Sequence, residues 1–453
     1  MVKWDAYIKE KYLFVVRVVR NMCLIRFKNK ENGSMSDINV FDLDRGVTLA
    51  LIKNPKFKSN LISIYFARNL KKEEVTKISL LCNMMSIGSK KYPTMKEISR
   101  KMDELYGLSM NMGVSKHGEK SLTFFKFLSV SDDYLDEPIF EDVIDFINEI
   151  VNRPFIVDGE FNPSMIEIEK NALKDEIEAR INDKKSYALL RCIEEMCEGE
   201  PYSIDQTGYV DDLKSITAKD IADTYYDFIS TSNIYISIEG DFNEDRVLEI
   251  CKNKFKFNRG NIESIKREDI FKIPENITYT TEIMGMQQGK LVMGYRTMVD
   301  YKDYKKYYSL MVGNSIFGGG PHSKLFNNVR EKESMCYYAH STLEKSKGLM
   351  LVSSGIELDL YEKALKLVTK ELDDVKNGNF SDKDIENAKK SILNTFRASH
   401  DSISGESDFT YNQFISDTNL KFEEVTDYIS GVSREDIVEA MKNIVEDTVY
   451  YIK

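Results

Sequence analysis

Proline is scarce in this chain, 8 residues in 453, and histidine scarcer still, at 4. The histidines (His117, His322, His340 and His400) show no metal-ligand spacing, which argues against a histidine-built metal centre. Six cysteines (Cys23, Cys82, Cys192, Cys197, Cys251 and Cys336) are scattered without a C-x-x-C pair. That excludes a disulfide framework and points to buried free thiols in a reducing compartment. There is no basic block and no interleaving of basic with aromatic residues, and the net charge is −11, so nucleic acid is not an expected partner. The apolar stretch Tyr12–Phe27 is interrupted by Arg17, Arg20 and Arg26. It is too short to span a bilayer, and no small-residue cleavage site follows it in the position a signal peptide needs. The expected location is the cytoplasm. Residues 1–36 read as an N-terminal extension, or as sequence upstream of a start at Met35.

What is present is the ordinary material of a soluble globular protein, 42% hydrophobic and 30% charged, long enough for two to four domains. Abundant Lys, Asn and Ile fit a low-GC bacterium. Residues 37–66 carry β-branched and apolar runs broken by turns and predict strands. Helical spacing follows at about 74–86, 94–106, 137–152, 163–182, 185–198 and 217–229. Asn233–Phe242 predicts a strand running into a helix. Residues 256–276 form a polar linker, after which the pattern restarts: a strand at Lys290–Thr297, a helix at 303–317, a glycine-rich turn, strands through Ile356, and long helices at 361–376 and 381–400. Ile168-Glu169-Lys170-Asn171-Ala172 matches Ile385-Glu386-Asn387-Ala388, and Asp103-Glu104-Leu105 falls opposite Arg330-Glu331-Lys332. These matches read as a duplication. The expected fold class is α+β, two repeat domains at 37–255 and 277–453 joined by 256–276.

Chemistry concentrates after the first helix of the second half, in GGGPHSKLFNNVREKESMCY, Gly318 to Tyr337. A phosphate loop is rejected, because Ser323-Lys324-Leu325 stands where a Walker A needs G-K-S or G-K-T. Gly318, Gly319 and Gly320 instead let a helix end bend tightly against other backbone. Arg330 and Tyr337 are seven apart. If Arg330 ends a helix and Tyr337 begins the next strand, both tips point into one cleft. A guanidinium can hold a peptide carbonyl there, and a phenol donates without carrying charge. The plainer alternatives are a surface ion pair for Arg330 and an amphipathic strand position for Tyr337. Cys336 and His340 could share a strand face as a thiol dyad, though no third group orients them.

The same stretch strongly resembles the C-terminal-half signature of the insulinase/pitrilysin family of zinc peptidases, and the resemblance covers roughly Asp37 to Lys453. Pro321-His322 and the doubled Tyr337-Tyr338 look closest to a bacterial branch whose members lack the zinc motif. The family's other signature, the zinc-binding H-x-x-E-H, is absent from all 453 residues. Aligned on Gly88, its ligand and base positions become Ser79, Cys82 and Asn83. The family's E-x6-E spacing survives as Glu169 and Glu176, two helical turns apart on one face. The resemblance implies two homologous domains, each a mainly antiparallel sheet covered by helices, forming half of a clamshell. It implies a subunit inactive alone and without a cofactor of its own. Arg330 and Tyr337 would act in trans, with Gly318–Gly320 against the peptide, on a substrate held by a partner that carries H-x-x-E-H and zinc. A homodimer is the other assembly the sequence allows. The rival function is a structural scaffold or peptide-binding module with no part in proteolysis.

Overall fold

A computed structural model describes residues 37–332 and 336–453; the N-terminal extension lies outside the described residues. The run LISIYFA in the third strand lacks the alternation of a half-exposed strand, and such runs belong to strands covered on both faces. That is what the fold does with it.

The first sheet contains β1 (Asp37–Asp44), β2 (Val47–Lys53), β3 (Ser59–Asn69), β4 (Ser109–His117), β5 (Lys120–Val130) and β8 (Asn233–Gly240), in the order β1-β2-β8-β3-β5-β4. A two-stranded ribbon, β6 (Ile156–Val157) and β7 (Glu160–Phe161), lies apart from it. The second sheet contains β9 (Thr278–Glu282), β10 (Gly289–Arg296), β11 (Cys336–Glu344), β12 (Leu349–Ile356) and β13 (Val445–Ile452), in the order β11-β12-β10-β13-β9. Read from the other edge, β4-β5-β3-β8-β2 has the same order and the same sense at every pairing: antiparallel throughout except β8 with β2 and β13 with β9. Two mixed, mainly antiparallel sheets of matching topology, each covered by helices, make an α+β fold with an internal repeat. β1 is the extra strand of the first half.

The helices repeat as well. α1 (Lys72–Ile87), α2 (Met95–Glu104), α3 (Phe140–Asn152), α4 (Pro163–Ala179), α5 (Lys184–Met196), α6 (Val210–Leu213), α7 (Ala218–Thr231) and α8 (Glu244–Lys254) belong to the first half. The second has α9 (Tyr304–Gly318), a π-helix (Leu325–Lys332), α10 (Tyr361–Lys376), α11 (Asp382–His400), α12 (Ile403–Ile415), α13 (Phe422–Gly431) and α14 (Arg434–Met441). Local chemistry sets several starts. Asn162 caps α4 ahead of Pro163, and Ser381 with Asp384 forms a capping box on α11. The matching segments 168–172 and 385–388 fall on α4 and α11, corresponding helices of the two halves.

Inward residues of the first sheet (Ile62, Ile64, Phe66, Phe125, Phe127, Ile236) pack on α1, α3 and α7 through Leu80, Val143, Ile221 and Phe228. The second core repeats this with Leu291, Met293 and Tyr295 against Val312, Val368 and Ile437. The outer faces are covered by exchange. α5, from the first half, lies on β10, β12 and β13, where Ala188, Cys192, Ile193 and Met196 meet Val292, Leu349, Leu351 and Tyr450. α12, from the second half, lies on β3 and β8, where Tyr411 stacks on Tyr65 at 3.7 Å. Each half thus supplies the lid of the other's sheet.

The exchange is reinforced by ions. Arg296, whose side chain is fully buried, donates from Nε to Asp447 at 2.8 Å, and from Nη2 to Glu200 at 2.7 Å and to the Met196 carbonyl, the last turn of α5, at 2.7 Å. Lys347 Nζ lies 2.6 Å from both Glu200 and Glu119. Burial works against charge on Glu200, but hydrogen bonds from Arg296, Lys347 and Lys272 prevail and hold its carboxyl down at about 2.

Candidate active-site remnant

The zinc-site positions lie on α1, which packs against α4. Ser79 is buried and donates to the Gln206 carbonyl at 3.3 Å. Cys82 is buried, and burial pushes its thiol up to about 12. Asn83 hydrogen-bonds Glu169 on α4, yet burial still lifts that half-buried carboxyl above its ordinary range. Glu176, further along α4, is exposed. The shared face expected for the two glutamates places one against α1 and leaves the other in solvent. Catalytic zinc needs three protein ligands and an open position, and this donor set does not fit it: of the three α1 side chains only Cys82 is an ordinary zinc ligand, the serine is bonded to the Gln206 carbonyl, and the asparagine is engaged by Glu169. Among the described residues no group of three or more His, Cys, Asp or Glu is arranged to hold a metal ion.

The other set lies in the second half. α9 ends at Gly318, and Gly319 serves as its C-cap at φ −85°. None of Gly318–Gly320 has positive φ, so a left-handed cap is not why they are glycines. Close approach is. A Cβ on Gly318 would collide with Ser341 Oγ and sit 2.8 Å from the Ser341 backbone nitrogen on β11, and one on Gly319 would lie 2.6 Å from Ser315 Cα. His322 closes the turn, its Nε2 being 3.1 Å from Ser315 Oγ.

Arg330 occupies the π-helix, half-buried, with its guanidinium 4.5 Å from the Phe326 ring centre. Tyr337 is the second residue of β11, as expected. The ladder there is irregular: Cys336 pairs with Ile356, but Tyr338 pairs with Gly355. Tyr337 is the additional residue of a bulge, and bulges re-aim side chains at strand ends. It is 71% exposed. It lines an open depression of about 690 Å³ together with Gln287, Gln288, Glu357, Leu358 and Asp359. These five were not singled out in the sequence; their only signal is that they flank the adjoining ends of β10 and β12.

The bulge also corrects the thiol dyad. Residues paired across a ladder share a face, and adjacent residues on β12 do not. Cys336, paired with Ile356, therefore faces away from His340, paired with Ser353. Cys336 joins the second core, and burial raises its thiol. His340 lies beside the Tyr338 ring.

Residues 215–392 match the family model described as the peptidase M16 inactive domain. The chain is 34% identical over 413 residues to the "Probable inactive metalloprotease YmfF" of Bacillus subtilis, covering 90% of this chain and 96% of that protein. The chain belongs to the M16 (insulinase/pitrilysin) peptidase family. A weaker relative, at 20% identity over 81% of this chain and 85% of its own, is the "Uncharacterized zinc protease YmxG" of B. subtilis. A solved structure of a conserved protein from Enterococcus faecalis superposes with a TM-score of 0.85 at 31% identity, covering 93% of this chain and 99% of that one. The peptidase M16 inactive domain from Pseudomonas fluorescens shares the fold, with a TM-score of 0.77 at 16% identity over 92% of this chain and 98% of that one. In this structure Ser79, Cys82 and Asn83 lie on α1, and Tyr337 lies on the β11 bulge.

Proposed function

We propose that this chain is a non-catalytic subunit of a zinc peptidase, supplying Arg330 and Tyr337 across an interface to an M16 homologue that carries H-x-x-E-H. The observation that carries the reading is the contrast between the two site halves. Ser79 and Cys82 are buried and Asn83 is tied to Glu169, whereas Tyr337 stands exposed on a bulge over an open depression. The likeness to YmfF, a probable inactive metalloprotease, is consistent with a subunit inactive alone. Zinc, carried by the partner, would supply Lewis acidity. This chain's own part is to position. Arg330 would hold a peptide carbonyl, Tyr337 would donate its phenolic hydrogen to the developing oxyanion, and Gly318–Gly320 would let the substrate backbone approach. The working division is a first domain at 37–255, a linker at 256–276 and a second domain at 277–453, in a cytoplasmic heterodimer. Among the described residues no helix is long and apolar enough to cross a membrane.

The experiment is cleavage of a quenched peptide library by an H-x-x-E-H homologue from the same genome, with and without this chain. Strong stimulation that disappears with Tyr337→Phe supports the reading. A stable complex with no stimulation assigns the chain to scaffolding or peptide binding instead.

A further inference from the structure

The lid that the second half places on the first sheet is polar at one end. Ser237 Oγ on β8 and Ser407 Oγ on α12 are 3.1 Å apart, and Asn54 Nδ2 donates to Glu406 Oε2 at 2.8 Å. Glu239 lies two residues beyond Ser237 on the same face of β8, opposite Leu61. Its side chain is fully buried, and Glu406 is 3% exposed. No hydrogen bond of standard geometry reaches either oxygen of Glu239 among the described residues, although the Asn54 amide and the Ser407 backbone N–H lie near enough to favour its charged form against burial. What faces it is the carboxyl of Glu406. Two carboxylates in contact and out of water cannot both stay charged. One proton between them removes a charge and turns repulsion into a short, charge-assisted O–H···O bond.

We propose that Glu239 and Glu406 share a single proton and act as a pH-sensitive latch fastening α12 onto the first sheet. The surroundings decide where the proton sits. Burial lifts both carboxyls; His400, from the end of α11, and Lys56, which is paired with Asp401, act against this on Glu406, as does its bond from Asn54. Burial and then the charge of Glu406 push Glu239 up to about 9. The negative charge therefore rests on Glu406 and the proton on Glu239. Asp408, the other acid on this face of α12, is bonded by Tyr65 at 2.8 Å and Lys126 at 2.6 Å. The phenols of Tyr65, Tyr235 and Tyr411 are raised by burial and stay neutral. When the latch opens, the proton passes to water or hydroxide and both carboxylates are hydrated. Because the folded value of Glu239 lies above its unfolded one, the stabilisation is complete below the ordinary carboxylate range. It is lost as pH rises through that range toward about 9.

Hydrogen–deuterium exchange on the full chain, corrected for intrinsic rates, tests this. Protection of 403–415 should fall up to about tenfold per pH unit between about pH 6 and about pH 9, the slope for release of one proton. The other exchanged helix, 184–196, should hold its protection. Glu239→Gln, whose amide donates to Glu406 without titrating, should flatten the slope; if it fails to fold, Glu406→Gln replaces it, and the wild-type comparison of the two helices stands on its own. Parallel loss in both helices, or an unchanged slope in the glutamine variant, would overturn the latch.

Discussion

The two halves build the same sheet and put opposite chemistry at its working end. In the first, the helix after β3 directs Ser79 and Cys82 into buried positions, the serine hydrogen-bonded to the Gln206 carbonyl. In the second, the corresponding helix ends at Gly318, whose missing side chain lets β11 come close, and a bulge turns Tyr337 out to solvent. Their lids differ too. α5 is fastened by apolar and sulfur packing beside a buried ion cluster, whereas α12 is fastened by stacked tyrosines and a carboxyl pair. The ion cluster fails in acid and the carboxyl pair in alkali. A common topology constrains where residues sit but leaves their chemistry free to diverge.

The sharpest way to break this comparison is at Glu200. Glu200→Ala strips Arg296 and Lys347 of a shared carboxylate inside the fold while Asp447 and Glu119 stay beside them, so the loss should approach but not exceed the ~3–5 kcal/mol of a buried charge left wholly unpaired. Denaturant melts should show it as a lower midpoint; a change under about 1 kcal/mol would mean that water replaces the carboxylate. In the wild-type chain this contribution is present above the ordinary carboxylate range and is lost as pH falls toward about 2, opposite in sense to the α12 latch. Next comes Tyr337→Phe. In the reconstituted pair it should lower kcat by ~10²–10³, while the melting temperature and complex formation stay unchanged because the side chain is exposed. Full activity would remove Tyr337 from the chemistry. Gly318→Ala should cost about 1–3 kcal/mol by overpacking against Ser341, read by thermal melting. A neutral result would show that α9 and β11 can separate. The smallest effect is expected of Asn83→Ala, within about 1 kcal/mol for one lost hydrogen bond. Its signature is electrostatic: without the bond from Asn83, the Glu169 carboxyl should rise further, as followed by carboxyl NMR titration.

Much of the fold was legible, and the failures have a common cause. α4, α10 and α11 were read within a few residues because their apolar spacing is regular and caps mark two of their starts. α12, α13, α14 and β13 were not read. In α12 the reason is visible: its buried positions include Glu406, Ser407 and Tyr411, so the face toward the protein does not look apolar. The β4–β5 hairpin was missed as well, its first strand being half-exposed at most positions. At the site, the absence of H-x-x-E-H was plain from the sequence, and motif spacing drew attention to Arg330 and Tyr337 as candidates. The turn glycines were identified too, with close approach to other backbone as the reason, which holds at Gly318 and Gly319. The bulge was invisible, and it separates Cys336 from His340.

The sequence by itself determined the elements with regular spacing, the duplication, the family and the absence of zinc ligands, because each depends on residue identity and short-range pattern. Only the tertiary structure decided the exchange of α5 and α12, the aim of Tyr337 and the facing of Glu239 by Glu406. Those depend on contacts between residues far apart in the chain, as Asn54 and Glu406 are, 352 positions from one another. No local pattern encodes whether a buried carboxylate will meet a cation, a proton or another carboxylate; the packing of one half against the other settles it.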